Sequence, residues 1–140
     1  MNAYLEHANL HVTDVDGTLD FIRTALPDFR VRFDSGRGDP ERWVHVGDDM
    51  SYLALYRSSR PRTQAADPYN GEPQLNHLGF VVDDVAALRQ RLLAKGYRET
   101  TIPNNHPARK RLYFLDGEDN EWEFVEYLSS KMDERNDYKS

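Results

Sequence analysis

Two histidines, 70 positions apart, sit in matching surroundings. His7 opens HANLHVTDVDGTLDFIRTAL and His77 opens HLGFVVDDVAALRQRLLAKG. Glu123 and Tyr113 fall in two late segments of alternating polarity. Two imidazoles and one carboxylate can hold a divalent ion on one side and leave its other positions to water or substrate. Fe(II), Mn(II), Ni(II), Co(II) and Zn(II) all suit such a set. The ion can chelate two adjacent substrate oxygens and stabilise negative charge as it develops on them. The chain has no cysteine, so thiolate ligands, disulfides and a cysteine nucleophile are excluded.

The elements that must position these side chains read as follows. Residues 4–13 alternate, with Ala8, Leu10 and Val12 on one face and His7, Asn9 and His11 on the other, as in a strand with one buried face. Thr13 to Asp16 offer helix-capping side chains, Leu19, Ile22 and Leu26 recur at helical spacing, and Pro27 stops the helix. Strands are expected over 28–34, 41–47 and 51–57. Residues 58–74 hold three prolines and read as a linker. The order then repeats: a strand over 75–82, a helix capped by Asp83 or Asp84 and closed by Gly96, and strands over 97–102, 110–115 and 120–128. The polar tail 129–140 is expected to fray.

The two halves align with a shift of 70 residues at the start and 69 near the end. His7 meets His77, Leu10 meets Phe80, Val12 meets Val82, Val46 meets Leu115 and Leu55 meets Phe124. The reading is an α+β chain built from tandem βαβββ modules, 4–57 and 75–128. In each module the helix covers the apolar sheet face. Alternation then puts His7, Asn9, His11, His77, Gly79, Tyr113 and Glu123 on the opposite faces. Tyr52, Ala54 and Tyr56 line the first module's side. His45 aligns with Phe114 and is expected to point away from the site. Glu121 shares the parity of Glu123 but sits at the strand start, near solvent. Glu126 is read as solvated and His106 as a loop residue. Arg111 and Tyr113 are candidate substrate contacts, through an anion pair and a donated proton respectively.

Composition narrows the partners. Net charge is −6, which gives no electrostatic support to a nucleic-acid role. No apolar run approaches the roughly 18 residues of a membrane span, and the N-terminus carries no signal-peptide pattern. A cytoplasmic location is the default expectation.

The stretches LEHANLHVTD, LNHLGFVVDD and YFLDGEDNEWEFVEY resemble, in content and order, the vicinal oxygen chelate superfamily. That group includes glyoxalase I, extradiol dioxygenases, fosfomycin-resistance transferases, methylmalonyl-CoA epimerase and bleomycin-binding proteins. The resemblance covers residues 4–128. It implies curved mixed sheets forming a cleft, a small-molecule substrate and a homodimer. It places metal ligands on His7, His77 and Glu123, with His7 supplied by the same chain or by a second one. The family's usual DPDG turn appears as Asp116-Gly117 followed by Glu118-Asp119.

Two departures shape the implied activity. Four-ligand members carry a glutamate where this chain has Ala54, which leaves three protein ligands and argues against glyoxalase I chemistry. Asn9 stands where the fosfomycin enzymes need a threonine, and PNNHPARK occupies the region of their potassium-binding loop, although Tyr113 matches a tyrosine of theirs. The resemblance therefore implies a metal-dependent lyase, isomerase or dioxygenase in which Glu123 and Tyr113 act catalytically. Asn9, His11, Tyr52, Tyr56, Arg111 and Tyr113 would contact substrate. A fosfomycin-type resistance transferase and a non-catalytic drug-binding protein are the alternatives.

Overall fold

A computed structural model describes residues 2–63 and 66–139 of the chain. Gln64 and Ala65, which fall in the expected linker, lie outside the described residues, as do Met1 and Ser140 at the ends. The chain divides into two compact units, residues 1–65 and 66–140.

The first unit runs β1 (His7–Val12), α1 (Val15–Ala25), β2 (Arg30–Asp34), β3 (Trp43–Gly47) and β4 (Tyr52–Arg57). Its sheet has the order β1-β4-β3-β2, with β1 parallel to β4 and the other pairs antiparallel. Asp14 caps α1 by accepting a hydrogen bond from the Gly17 N–H at 2.9 Å. The helix buries Phe21, Ile22 and Ala25, while the sheet buries Val12, Val44, Val46, Leu53 and Leu55. These residues form the core that the alternation pattern requires.

The second unit runs β5 (His77–Val81), α2 (Val85–Ala94), β6 (Arg98–Glu99), β7 (Arg109–Leu115), β8 (Glu121–Tyr127) and α3 (Met132–Arg135). Its sheet order, β5-β8-β7-β6, repeats the first, again with one parallel pair. Asp84 is the cap of α2, accepting from the Ala87 N–H at 2.9 Å. Glu126, expected to be solvated, adds a second anchor: its carboxylate accepts from the Val85 N–H at 3.1 Å, where a helix start favours negative charge. Gly96 ends the helix at φ 83°. There it and Tyr97 donate to the carbonyls of Leu93 and Leu92, a closure that needs the left-handed region open to glycine. Leu88, Leu92, Phe114, Trp122 and Phe124 are buried between helix and sheet.

The tail does not fray as expected. Arg135 lies over the Tyr127 ring at 3.9 Å, and Arg109 donates to the carbonyls of Arg135 and Asp137 at 3.0 Å each. His106 is buried in the same contact rather than placed in an open loop. Its Nδ1 accepts from the Ala108 N–H at 3.0 Å, and its Nε2 lies 3.1 Å from the Asp137 carbonyl oxygen.

Among the described residues, no helix is long and apolar enough to cross a membrane.

Candidate functional site

In the second unit β5 and β8 run in parallel, with His77 beside Glu121 and Gly79 beside Glu123. Tyr113 on β7 faces Glu123, and Arg111 follows two residues earlier on the same side. His77 Nε2 and Glu123 Oε2 are 3.0 Å apart, the His77 and Tyr113 rings meet edge to face at 5.6 Å, and Arg111 Nη1 is 4.0 Å from Glu123 Oε1. His77, Glu123, Tyr113 and Arg111 are thus brought together. Burial first, then the hydrogen bond to Glu123, pushes the Tyr113 phenol up to about 12. It remains a proton donor throughout the neutral range.

Asn76 was missed by sequence reasoning. Its amide nitrogen donates to the Pro68 carbonyl, which fixes the orientation of the amide, and its oxygen then lies 2.7 Å from His77 Nδ1. That oxygen can only accept, so Nδ1 carries a proton. Nε2 of a neutral ring is then a bare lone pair facing a carboxylate oxygen. Two acceptors at 3.0 Å require a proton on Nε2 or a cation between them. Metal bonds of about 2.1 Å set adjacent corners of an octahedron roughly 3.0 Å apart. The spacing of the pair is compatible with a divalent ion, and Asn76 stands where a carbonyl would orient a histidine toward one. Among the described residues, no three histidine or acidic side chains converge into a set that could hold a metal ion.

Glu121 departs from expectation. It is 6% exposed, not solvated, and accepts hydrogen bonds from the Tyr69 hydroxyl and from Thr100 Oγ1, the latter at 2.8 Å. Tyr69 comes from the segment that reads as a linker, so this residue is tied to the start of β8. Tyr–Glu spacing of this kind leaves no local signal in the sequence.

In the first unit His7 pairs with Tyr52, Asn9 with Ala54 and His11 with Tyr56. Ala54 thus occupies the place of Glu123, as the repeat implies. The His7 ring stacks on Tyr52 at 4.9 Å, and its Nδ1 is 3.2 Å from Glu6 Oε2. His45 does not point away from this face. It pairs with Ala54, its ring lies 4.5 Å from that of Tyr52, and it stands on the face of His7. Burial, then the positive charge of Arg32, holds its imidazole below the ordinary histidine range.

The physical reason is a loop. Gly47 pairs with Tyr52 across residues 48–51, whereas Leu115 pairs with Glu121 across residues 116–120, one residue more. The shift between halves in β3 and β7 is therefore 68, not 69. His45 matches Tyr113, Val46 matches Phe114 and Trp43 matches Arg111. A slip of one residue exchanges the two faces of a strand. The alternation of WVHVG, with Val44 and Val46 in the core, carried the correct signal.

A model of the Glyoxalase/Bleomycin resistance protein/Dioxygenase superfamily matches residues 4–124. No curated protein matches the sequence. Among solved structures, a glyoxylase/bleomycin resistance protein/dioxygenase domain from Frankia sp. EAN1pec is 22% identical with a TM-score of 0.72, covering 94% of this chain and 96% of that one. The fosfomycin resistance protein FosX from Listeria monocytogenes is 17% identical with a TM-score of 0.69, covering 96% and 97%. A further structure of that protein, an E126Q mutant, holds Mn(II) and 1S,2S-dihydroxypropylphosphonic acid. TioX from Micromonospora sp. ML1 is 18% identical with a TM-score of 0.63, covering 93% and 99%. At these identities the solved structures establish the fold. The family match spans both modules, including both histidines and the carboxylate paired with one of them. On that match the chain belongs to the glyoxalase/bleomycin resistance protein/dioxygenase superfamily.

Proposed function

We propose that the protein is a metal-dependent enzyme acting on a small substrate with vicinal oxygens, with His77 and Glu123, and a His7 supplied by the same chain or by a second copy, as the protein ligands of a divalent ion. The observation that carries this reading is the pair of acceptors, His77 Nε2 and Glu123 Oε2, held 3.0 Å apart with Nδ1 committed to Asn76. The bound ion would polarise the two substrate oxygens. Tyr113, protonated at neutral pH, donates a hydrogen bond or proton to substrate, and Arg111 pairs with an acidic group beside Glu123. With Ala54 in the fourth strand the set stays at three side chains. This favours lyase, isomerase or dioxygenase chemistry over glyoxalase I chemistry. The protein is expected to work as a homodimer in the cytoplasm.

Elemental analysis of protein purified without a histidine tag tests the reading. About one divalent ion per site is expected, with loss of uptake in His77→Ala and in Glu123→Ala. Stoichiometric uptake by either variant would overturn the ligand assignment. Oxygen consumption with catechols then separates dioxygenase from isomerase or lyase chemistry.

A further inference from the structure

The stretch that reads as a linker contains an ordered turn of the second unit. Asp67, Pro68, Tyr69 and Asn70 form it. The Asn70 N–H donates to the Asp67 carbonyl at 3.4 Å, and the Tyr69 N–H donates to the Asp67 side chain at 2.9 Å. The residue types favour this shape. An Asp at the first position accepts from the backbone two residues on, and a Pro at the second already has the φ that the turn needs. Gly71 then leaves the turn at φ 76°, in the left-handed region.

Two groups of this turn reach the surroundings of His77. The Pro68 carbonyl accepts from the Asn76 amide nitrogen, and the Tyr69 hydroxyl donates to Glu121 Oε2. Asn76 Oδ1 lies 2.7 Å from His77 Nδ1. Glu121 is the residue of β8 that pairs with His77 of β5. The contacts therefore close a circuit. It runs from His77 to Asn76, to Pro68, along the chain to Tyr69, to Glu121, and back to His77 across the ladder. Thr100 Oγ1 also donates to Glu121 Oε2, at 2.8 Å, from outside the circuit.

The circuit fixes something that the strand alone does not. Pairing of β5 with β8 sets the backbone of His77 but leaves its imidazole a choice of rotamers. Asn76 is exposed, so water competes for both ends of its amide. Its hold on Nδ1 lasts only while the amide is itself held. The Pro68 carbonyl does this, and Tyr69 on the next residue ties that carbonyl to a carboxylate that is 6% exposed. Glu121, rather than Asn76, is the fixed point of the arrangement.

We infer that the 67–70 turn is a clamp on the Nδ1 side of His77, with Tyr69 as a positioning residue that acts through Pro68 and Asn76. The inference rests on the reading of His77 as a metal ligand and deepens it: a residue of the connecting segment governs how Nε2 is aimed. With the clamp open, the imidazole can turn and either nitrogen can carry the proton.

The test follows the His77 Nδ1 proton by 1H–15N correlation in metal-free protein, and Zn(II) affinity by competition with a chelator. In the parent the Nδ1 proton is expected to be resolved and protected from exchange with water. Tyr69→Phe should lose that protection and weaken Zn(II) binding by about tenfold, the low end of the usual loss when a partner that orients a ligand is removed. Glu121→Ala should do the same. Glu121→Gln, whose amide oxygen still accepts from Tyr69, should keep both readouts near the parent's. Thr100→Val takes a donor from the same carboxylate but leaves the turn attached, so protection should survive. The inference is overturned if the proton stays protected in Tyr69→Phe, or if Thr100→Val loses it equally, which would make the effect one of general stability. Full Zn(II) affinity in Tyr69→Phe would also overturn it and would leave the ligand reading intact. A parent that takes up no Zn(II) sinks the ligand reading instead, while the Nδ1 proton still reports whether Tyr69 clamps His77.

Discussion

Nε2 of His77 stands 3.0 Å from Oε2 of Glu123 although the ladder makes neither residue the other's neighbour. The contact is diagonal. Gly79 is the residue beside Glu123, and a Cβ there would meet Oε2 at 3.6 Å, an ordinary contact. Asn76 holds the other side of the imidazole. Asn76→Ala should therefore keep metal stoichiometry but lower affinity by roughly 10- to 100-fold, the usual cost of losing a partner that orients a ligand. Competition with a chelator measures this. In the metal-free protein the 15N shifts of His77 should move toward a mixture of tautomers, and an unchanged tautomer would remove Asn76 from the argument.

Glu121 and Tyr69 give a test of stability. Tyr69→Phe leaves a buried carboxylate with Thr100 as its remaining donor in this contact. A cost of about 1–3 kcal/mol is expected, because an acceptor stripped of its partner keeps its desolvation penalty. Urea unfolding followed by circular dichroism reads it. A cost near zero would mean that water replaces the hydroxyl and that the segment before β5 is not pinned.

Arg42 sets a pH dependence. It is 6% exposed and bonds Asp34 at 2.7 and 2.9 Å and Asp16 at 3.1 Å. The Arg42 guanidinium first, then the Gly36 N–H, holds the Asp34 carboxyl below the ordinary carboxylate range, and Arg42 does the same to Asp16. A depressed carboxylate contributes stability above its unfolded value, about pH 4, and loses it as pH falls through the depressed value. Arg42→Gln should cost about 2 kcal/mol at pH 7, less than for a fully buried pair because both acids reach water. The gap between the variant and the parent should narrow as pH falls through the unfolded value and then the depressed one. A gap that persists below both would trace the loss to packing.

The tail provides a fourth test. Removing residues 132–140 strips the Arg109 guanidinium and the His106 ring of carbonyl partners and uncovers the Tyr127 ring. A lower urea midpoint is expected, along with faster exchange of the Ala108 and Leu128 amides. Unchanged exchange would make the tail a bystander.

Element order, both helix starts and the paired histidines are legible in the sequence because each has a local cause. Alternation marks the strands, Asp14 and Asp84 cap the helices, and Gly96 closes one. The face of His45 was lost through an alignment of the halves that ignored one extra loop residue, although its own strand alternates correctly. Glu121, Glu126 and His106 were assigned to solvent or loops because their partners are remote: Tyr69, the start of α2 and Asp137. Polar residues are buried only when such partners exist, and sequence distance conceals them. The register shift between Val31 and Phe33 in β2 is a further feature that periodicity cannot register.

The two halves also differ in where they have kept and lost likeness. Toward the helices Leu10 and Phe80, Val46 and Phe114, Leu53 and Trp122, and Leu55 and Phe124 are apolar in both copies. On the opposite faces only His7 and His77 agree, while Asn9 and Gly79, His45 and Tyr113, Tyr52 and Glu121, and Ala54 and Glu123 do not. The duplicated module is thus a scaffold with one constrained side and one free to specialise. Substitutions on the free sides can change what the protein accepts without reopening the question of whether it folds.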